Sequence, residues 1–159
     1  MILYLDASSL VKLYVIEPPG SEPGQQAGWE SEEVRRHFGG AECTFTARIA
    51  YTEVRAALAR RRRENYFANP QDYANAIHDL NNDWRERVLK IGISESLVCL
   101  AGDLAERHAP RGYDAVHLAS GLILKDRLGL QVSFSTWDIS LRQAAATAGL
   151  LTTHQEVTP

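Results

Sequence analysis

Short apolar runs alternate along the chain with amphipathic stretches of helical period. Ile2-Leu3-Tyr4-Leu5 is an unbroken apolar run stopped by Asp6, the pattern of a strand buried on both faces. Asp6-Ala7-Ser8-Ser9 supplies N-cap chemistry for a helix running through Leu10, Val11, Leu13 and Tyr14. Pro18 to Gly24 breaks that helix and predicts a surface loop. A polar helix from Glu30 to Phe38 follows, closed by Gly39-Gly40. Cys43-Thr44-Phe45 reads as a second strand, and Thr46 as the cap of a helix through Glu53 and Leu58 into Arg60 to Arg63. Tyr73, Ile77, Leu80, Trp84 and Val88 form a stripe that predicts a helix from Pro70 to about Leu89.

The second half repeats the alternation. Ile91-Gly92-Ile93 reads as a brief strand, and Leu97, Leu100, Ala101, Leu104 and Ala105 as one side of a helix. Tyr113 to Arg127 is apolar on most faces, which predicts a helix packed on several sides. Gln131 to Ser135 is a strand, Asp138 starts a helix carrying Leu141, Ala144, Ala145 and Ala148, and Leu150-Leu151-Thr152 closes as an edge strand. His154 to Pro159 reads as a fraying tail. Alternating short strands and helices imply right-handed crossovers and a parallel sheet covered on both faces, a single α/β sandwich. With no internal repeat or dividing linker, residues 1–151 form one domain and 152–159 a tail.

Composition narrows the class. A chain of 159 residues that is 45% hydrophobic can bury a core, which argues against global disorder. Two cysteines, Cys43 and Cys99, are too few for a disulfide-stapled scaffold or a four-thiolate zinc site, and read as reduced, buried small residues. The apolar start ends at Asp6, too short for a signal peptide, and no run reaches the roughly 18 apolar residues of a membrane span. A soluble, cytoplasmic protein is expected. The net charge of −3 argues against coating nucleic acid by bulk charge. Yet of the 17 basic residues only Lys12, Lys90 and Lys125 are lysines, so the other 14 are arginines, four of them consecutive at Arg60, Arg61, Arg62 and Arg63. That cluster is either a solvated helix end or a patch that steers phosphate.

Candidate chemistry rests on four acids. Asp6 and Asp138 lie just beyond the carboxyl ends of predicted strands, where open parallel sheets collect ligands. Glu53 and Asp114 lie near helix starts or middles in apolar company. Taken singly, Asp6, Asp114 and Asp138 can be helix caps and Glu53 an ion-pair partner of Arg55. Taken together they read as hard oxygen donors, with no histidine or cysteine at ligand spacing to suggest zinc and no basic side chain amongst them. Clustered carboxylates repel one another, and Mg²⁺ or Mn²⁺ converts that repulsion into binding. Such an ion suits phosphodiester cleavage. His117 lies one helical turn after Asp114 and can reach the pocket, although a packed or capping role is the expectation. Trp84 and Tyr73 are expected in the core or a dimer interface, and Trp137 packed under a loop.

These residues also carry a resemblance. Asp6-Ala7-Ser8-Ser9-Leu10-Val11-Lys12-Leu13-Tyr14, Thr52-Glu53-Val54-Arg55-Ala56-Ala57-Leu58, Arg111-Gly112-Tyr113-Asp114-Ala115-Val116-His117-Leu118-Ala119 and Ser135-Thr136-Trp137-Asp138 resemble, in that order, the PIN-domain family, in particular VapC-type toxins of toxin–antitoxin pairs. The resemblance spans Met1 to about Leu151. It implies a three-layer α/β/α sandwich with a mostly parallel central sheet. It also implies a Mg²⁺-dependent endoribonuclease, commonly a homodimer restrained by a cognate antitoxin, leaving 5′-phosphate and 3′-hydroxyl ends. Asp6 and Asp114 match the principal metal-coordinating acids, Glu53 and Asp138 the other two, and Ser8 and Thr136 supporting hydroxyls. Arg60 to Arg63 become an RNA or antitoxin contact. The Pro/Gly-rich stretch between Glu17 and Glu32 is longer than in many relatives. The runner-up is a catalytically silent PIN-like binding module that recognises a protein or RNA partner. A phosphoacceptor receiver domain is disfavoured because the late strand offers no lysine, and a glycosidase because no aromatic-rich cleft is visible.

Overall fold

The structure, a computed structural model, describes residues 1–16 and 28–153. The predicted loop from Pro18 to Gly24 and the tail from His154 to Pro159 lie outside those residues. Five strands form one sheet: β1 (Ile2–Leu5), β2 (Cys43–Ala47), β3 (Val88–Ile91), β4 (Val132–Ser135) and β5 (Leu151–Thr152). Their order is β3-β2-β1-β4-β5, and every neighbouring pair is parallel. Leu3, Tyr4 and Leu5 have no exposed surface, as the unbroken apolar run of a central strand requires.

The helices are α1 (Ala7–Leu10), α2 (Trp29–Gly40), α3 (Ala50–Arg63), α4 (Pro70–Glu86), α5 (Glu95–His108), α6 (Gly112–Leu128) and α7 (Ile139–Thr147), with α1 running into a 3₁₀ turn at Val11–Leu13. The chain steps outward from β1 to β2 and β3, then returns to β4 and continues outward the other way to β5. Right-handed crossovers in opposite directions place their helices on opposite faces. Leu10, Val34, Val54, Leu58 and Leu80, from α1 to α4, pack with Leu3 and Leu5. Leu97, Leu104, Leu118 and Leu141, from α5 to α7, pack with Tyr4, Val132 and Phe134. The two-residue period of β1 thus divides its side chains between two helical layers, giving the expected three-layer sandwich.

Strand order reverses between β1 and β4, which opens a crevice beyond their carboxyl ends. Leu5 pairs with Ser135 in the last register position, and the Asp6 amide donates to the Ser135 carbonyl at 3.1 Å. The residues following β1 and β4 therefore emerge side by side.

Several local expectations are corrected. Thr46 is not a cap but a residue of β2, buried, its hydroxyl donating to the Leu5 carbonyl at 2.6 Å. α3 starts at Ala50 after Ile49, which makes no side-chain cap bond. Val88 opens β3 opposite Thr44 instead of continuing α4, which stops at Glu86. A buried residue one turn beyond a stripe looks the same in sequence whether it continues the helix or begins a strand. The strand is Val88–Ile91, so Gly92 and Ile93 lie past its end. α2 runs through Gly39 and Gly40 to an extended Ala41. Cys43 and Cys99 are exposed, not buried. The edge strand β5 is Leu151–Thr152, so Leu150 lies before its start. Among the described residues no helix is long and apolar enough to cross a membrane.

Candidate active site

Asp6 leaves β1 in an extended conformation and caps α1, accepting the Ser9 amide at 2.8 Å. The same carboxylate accepts Ser8 Oγ, 2.8 and 2.9 Å from its two oxygens, and Thr136 Oγ1 at 2.7 Å. Ser8 Oγ in turn accepts the Trp137 amide at 2.8 Å, and Thr136 Oγ1 the Asp138 amide at 3.2 Å. The segment after β4 thus braces the segment after β1, as the adjacent strand ends dictate. Asp6 is only 3% exposed, and burial pushes its carboxyl above the usual range. His117 nearby opposes that shift, as do the hydrogen bonds from Thr136, Ser9 and Ser8.

Asp138 caps α7, its Oδ1 accepting the Leu141 amide at 2.8 Å. Asp114 is not the cap of α6; Arg111 holds that position without a side-chain bond, and Asp114 sits in the first turn. Burial pushes the Asp114 carboxyl up, and the negative charges of Asp138 and then Asp6 push it further, against His117 and Arg111. Asp114 thus feels the charge of two acids that lie far from it in the chain and more than a hundred residues from each other.

Glu53 occupies the first turn of α3. It does not pair with Arg55, which donates instead to Tyr51 Oη at 2.9 Å. Its partner is His117, whose Nε2 lies 2.8 Å from Glu53 Oε2. His117 Nδ1 lies 2.8 Å from Tyr4 Oη, which accepts the Ala47 amide at 3.1 Å. His117, expected to be packed but able to reach the pocket, is both buried and bonded to Glu53. A histidine does therefore stand beside one of the acids, even though none lies at ligand spacing in the sequence. Linear spacing hid the pair because its members are 64 residues apart. One signal was present: a histidine flanked by Val116, Leu118 and Ala119 is buried, and a buried imidazole needs partners.

Ser8, Glu53 and Asp138 line a cleft of about 330 Å³ together with Lys12, Trp137, Arg60 and Arg61. Asp6 and Asp114 are not among its lining residues. Lys12 pairs with Glu30 and lies over the Trp137 ring at 5.1 Å, and Trp137 meets Trp29 edge-on at 5.1 Å. Trp137 is thus packed, as expected, and also walls the cleft. The arginine cluster divides. Arg60 and Arg61 reach the cleft, Arg61 over Tyr66 at 5.0 Å, whereas Arg62 lies over Tyr73 at 4.8 Å away from it. Trp84 packs against Tyr51 at 5.2 Å, and Tyr73 against Phe67 at 5.5 Å.

Among the described residues no three histidine, cysteine, aspartate or glutamate side chains already enclose a common metal position. The donor chemistry nevertheless fits a hard dication. Asp114 is held up partly by the charges of Asp6 and Asp138, a repulsion that a cation relieves. Asp114, Glu53 and Asp138 are only partly buried, so an ion can reach their carboxylates.

No protein-family model matches the chain. It is 36% identical over 148 residues, 93% of its length and 92% of theirs, to the ribonucleases VapC45 and VapC49 of Mycobacterium tuberculosis, strains CDC 1551 / Oshkosh and H37Rv respectively. Its fold is similar to a chain of the VapBC2 complex of Rickettsia felis bound to promoter DNA, with a TM-score of 0.55 and 11% identity over 96% of this chain and 97% of that one. It is similar also to the Mycobacterium tuberculosis toxin VapC20, which cleaves the sarcin-ricin loop, with a TM-score of 0.55 and 16% identity over 99% of both chains.

Proposed function

The chain belongs to the VapC family of PIN-domain ribonucleases, and from that premise we propose that it hydrolyses RNA phosphodiester bonds with a bound divalent cation, Mg²⁺ or Mn²⁺. The observation that carries the reading is that Asp114 feels the negative charges of Asp138 and Asp6, the acids that follow β4 and β1 at the switch point. Asp6 and Asp114 would hold the cation, with Glu53 and Asp138 completing its surroundings. When bound, the cation supplies Lewis-acid polarisation of the phosphoryl oxygens and acidifies water. Ser8 and Thr136 hold the Asp6 carboxylate in one orientation, so its charge is aimed before substrate arrives. Ser8 has one proton shared between both Asp6 oxygens, which lets one lone pair turn to an ion without stripping the carboxylate of its donors.

Arg60 and Arg61 line the same cleft two turns along α3 from Glu53 and would track the RNA backbone beside the cut. A cognate antitoxin that covers this cleft, a homodimeric assembly and action in the cytoplasm, where RNA is available, belong to the same proposal. Family membership supports them. The test is incubation of the purified chain with total RNA in Mg²⁺ or in EDTA, followed by mapping of the new ends. Cleavage that needs Mg²⁺, leaves 5′-phosphates and vanishes in Asp6→Asn is the expected result. Cleavage that persists in EDTA or in Asp6→Asn overturns it. Metal binding without any cleavage favours a silent recognition module instead.

A further inference from the structure

Glu53 is tied to the backbone of β2 through two side chains that the proposed reaction does not otherwise use. A carboxylate only accepts hydrogen bonds, so His117 Nε2 donates to Glu53 Oε2 across their 2.8 Å separation. Tyr4 Oη accepts the Ala47 amide and lies 2.8 Å from His117 Nδ1, so the phenol holds the imidazole from the side opposite Glu53. The contacts run without a break from the β2 amide through phenol and imidazole to the acid. Tyr4 is fully buried and stacks on Phe134 with ring centroids 5.0 Å apart and planes 4° from parallel, and His117 is 1% exposed. Neither ring has room to turn. An aliphatic side chain would fill the same space without burying two polar groups, so packing alone does not account for them. The chain of hydrogen bonds ends on a half-buried carboxylate that lines the cleft.

We infer that His117, aimed by Tyr4, is a positioning residue for Glu53: it fastens Oε2 and leaves Oε1, which makes no hydrogen bond among the described residues, to serve the cation. This inference rests on the proposed cation site and adds a support that the four-acid reading did not contain. Hydrogen-bonded partners of metal-binding side chains change metal affinity by roughly 10–100-fold when removed. Mn²⁺ affinity is therefore the direct readout, measured calorimetrically on the full chain without substrate, with melting followed in parallel. His117→Leu, which keeps the volume and removes the donor, should weaken Mn²⁺ binding by about 10-fold or more. His117→Gln, which restores an N–H near the Nε2 position, should recover most of that affinity, and Tyr4→Phe should lose part of it. If His117→Leu binds Mn²⁺ like the unaltered protein, or if Gln is no better than Leu, the inference is overturned, whatever happens to the melting temperature. Failure of the cation site itself reads differently: the unaltered chain would bind no Mn²⁺, or Asp6→Asn would bind it unchanged, and the inference would fall with it. A separate check needs no metal. Imidazole ¹⁵N shifts of the metal-free protein should show His117 carrying a proton at Nε2, and a bare Nε2 would remove the bond to Glu53.

Discussion

Asp114 carries the conflict on which the site is built. Its carboxyl is pushed up by burial and by the charges of Asp138 and Asp6, so the fold holds its proton more tightly than the unfolded chain does. For an acid shifted this way, destabilisation begins as pH rises through the usual aspartate range near about 4 and is complete above the raised value. Asp114→Asn should therefore raise the melting temperature of the metal-free protein at neutral pH, with the gain disappearing as pH falls toward that range. The same variant should lose the stabilisation that Mn²⁺ gives the unaltered chain, and RNA cleavage with it. Calorimetric melting at two pH values, with and without Mn²⁺, checks both halves. Thr136 presents the complementary case. Its hydroxyl donates to a buried carboxylate at 2.7 Å and accepts an amide at 3.2 Å, so Thr136→Val, nearly the same shape, should cost about 1.5–3 kcal/mol in urea unfolding.

Helix starts bring the acids to one end of the sandwich. Asp138 caps α7, while Glu53 and Asp114 sit in the first turns of α3 and α6. The partial positive charge of these helix termini favours carboxylates there in the absence of a cation. Asp6 and Asp138 are helix caps, as each singly could be, and capping is compatible with the cation role proposed for them. How closely α6 approaches the sheet is set by Gly121, where an added Cβ would come within 2.9 Å of Phe134 and 3.1 Å of Leu150. Phe134 is the ring that stacks on Tyr4, so pressure there reaches the Glu53 support. Gly121→Ala should gain nothing from its better helix propensity and lose about 1–2 kcal/mol net. In α5, Gly102 has nothing within 4 Å of an added Cβ, and Gly102→Ala should stabilise by about 0.5–1 kcal/mol. Urea unfolding of the two variants side by side decides it.

At the scale of the molecule, a net charge of −3 and an RNA substrate are reconciled by placement. Arg60 and Arg61, near the end of α3, line the cleft that Ser8, Glu53 and Asp138 also line, so the attraction is local. Arg60→Ala should weaken RNA binding and reduce the slope of log affinity against log salt by about one phosphate's worth, whereas Arg63→Ala, outside the cleft, should leave the slope nearly unchanged. Filter binding across a salt series in EDTA separates this effect from cleavage.

The alternation of strands and helices, the α/β sandwich, and the proximity of the Ser8 and Thr136 hydroxyls to Asp6 were legible in the linear chain. Apolar period and residue chemistry are local properties, and each acid sits at an element boundary that the pattern itself marks. Contacts across the sheet were not legible. That Glu53 meets His117 rather than Arg55, that only two of four consecutive arginines reach the cleft, and that Val88 opens a strand follow from which elements the β3-β2-β1-β4-β5 order makes neighbours. Side chains written dozens of positions apart acquire a distance only when the sheet closes, and it is that distance, not their type, that makes them partners.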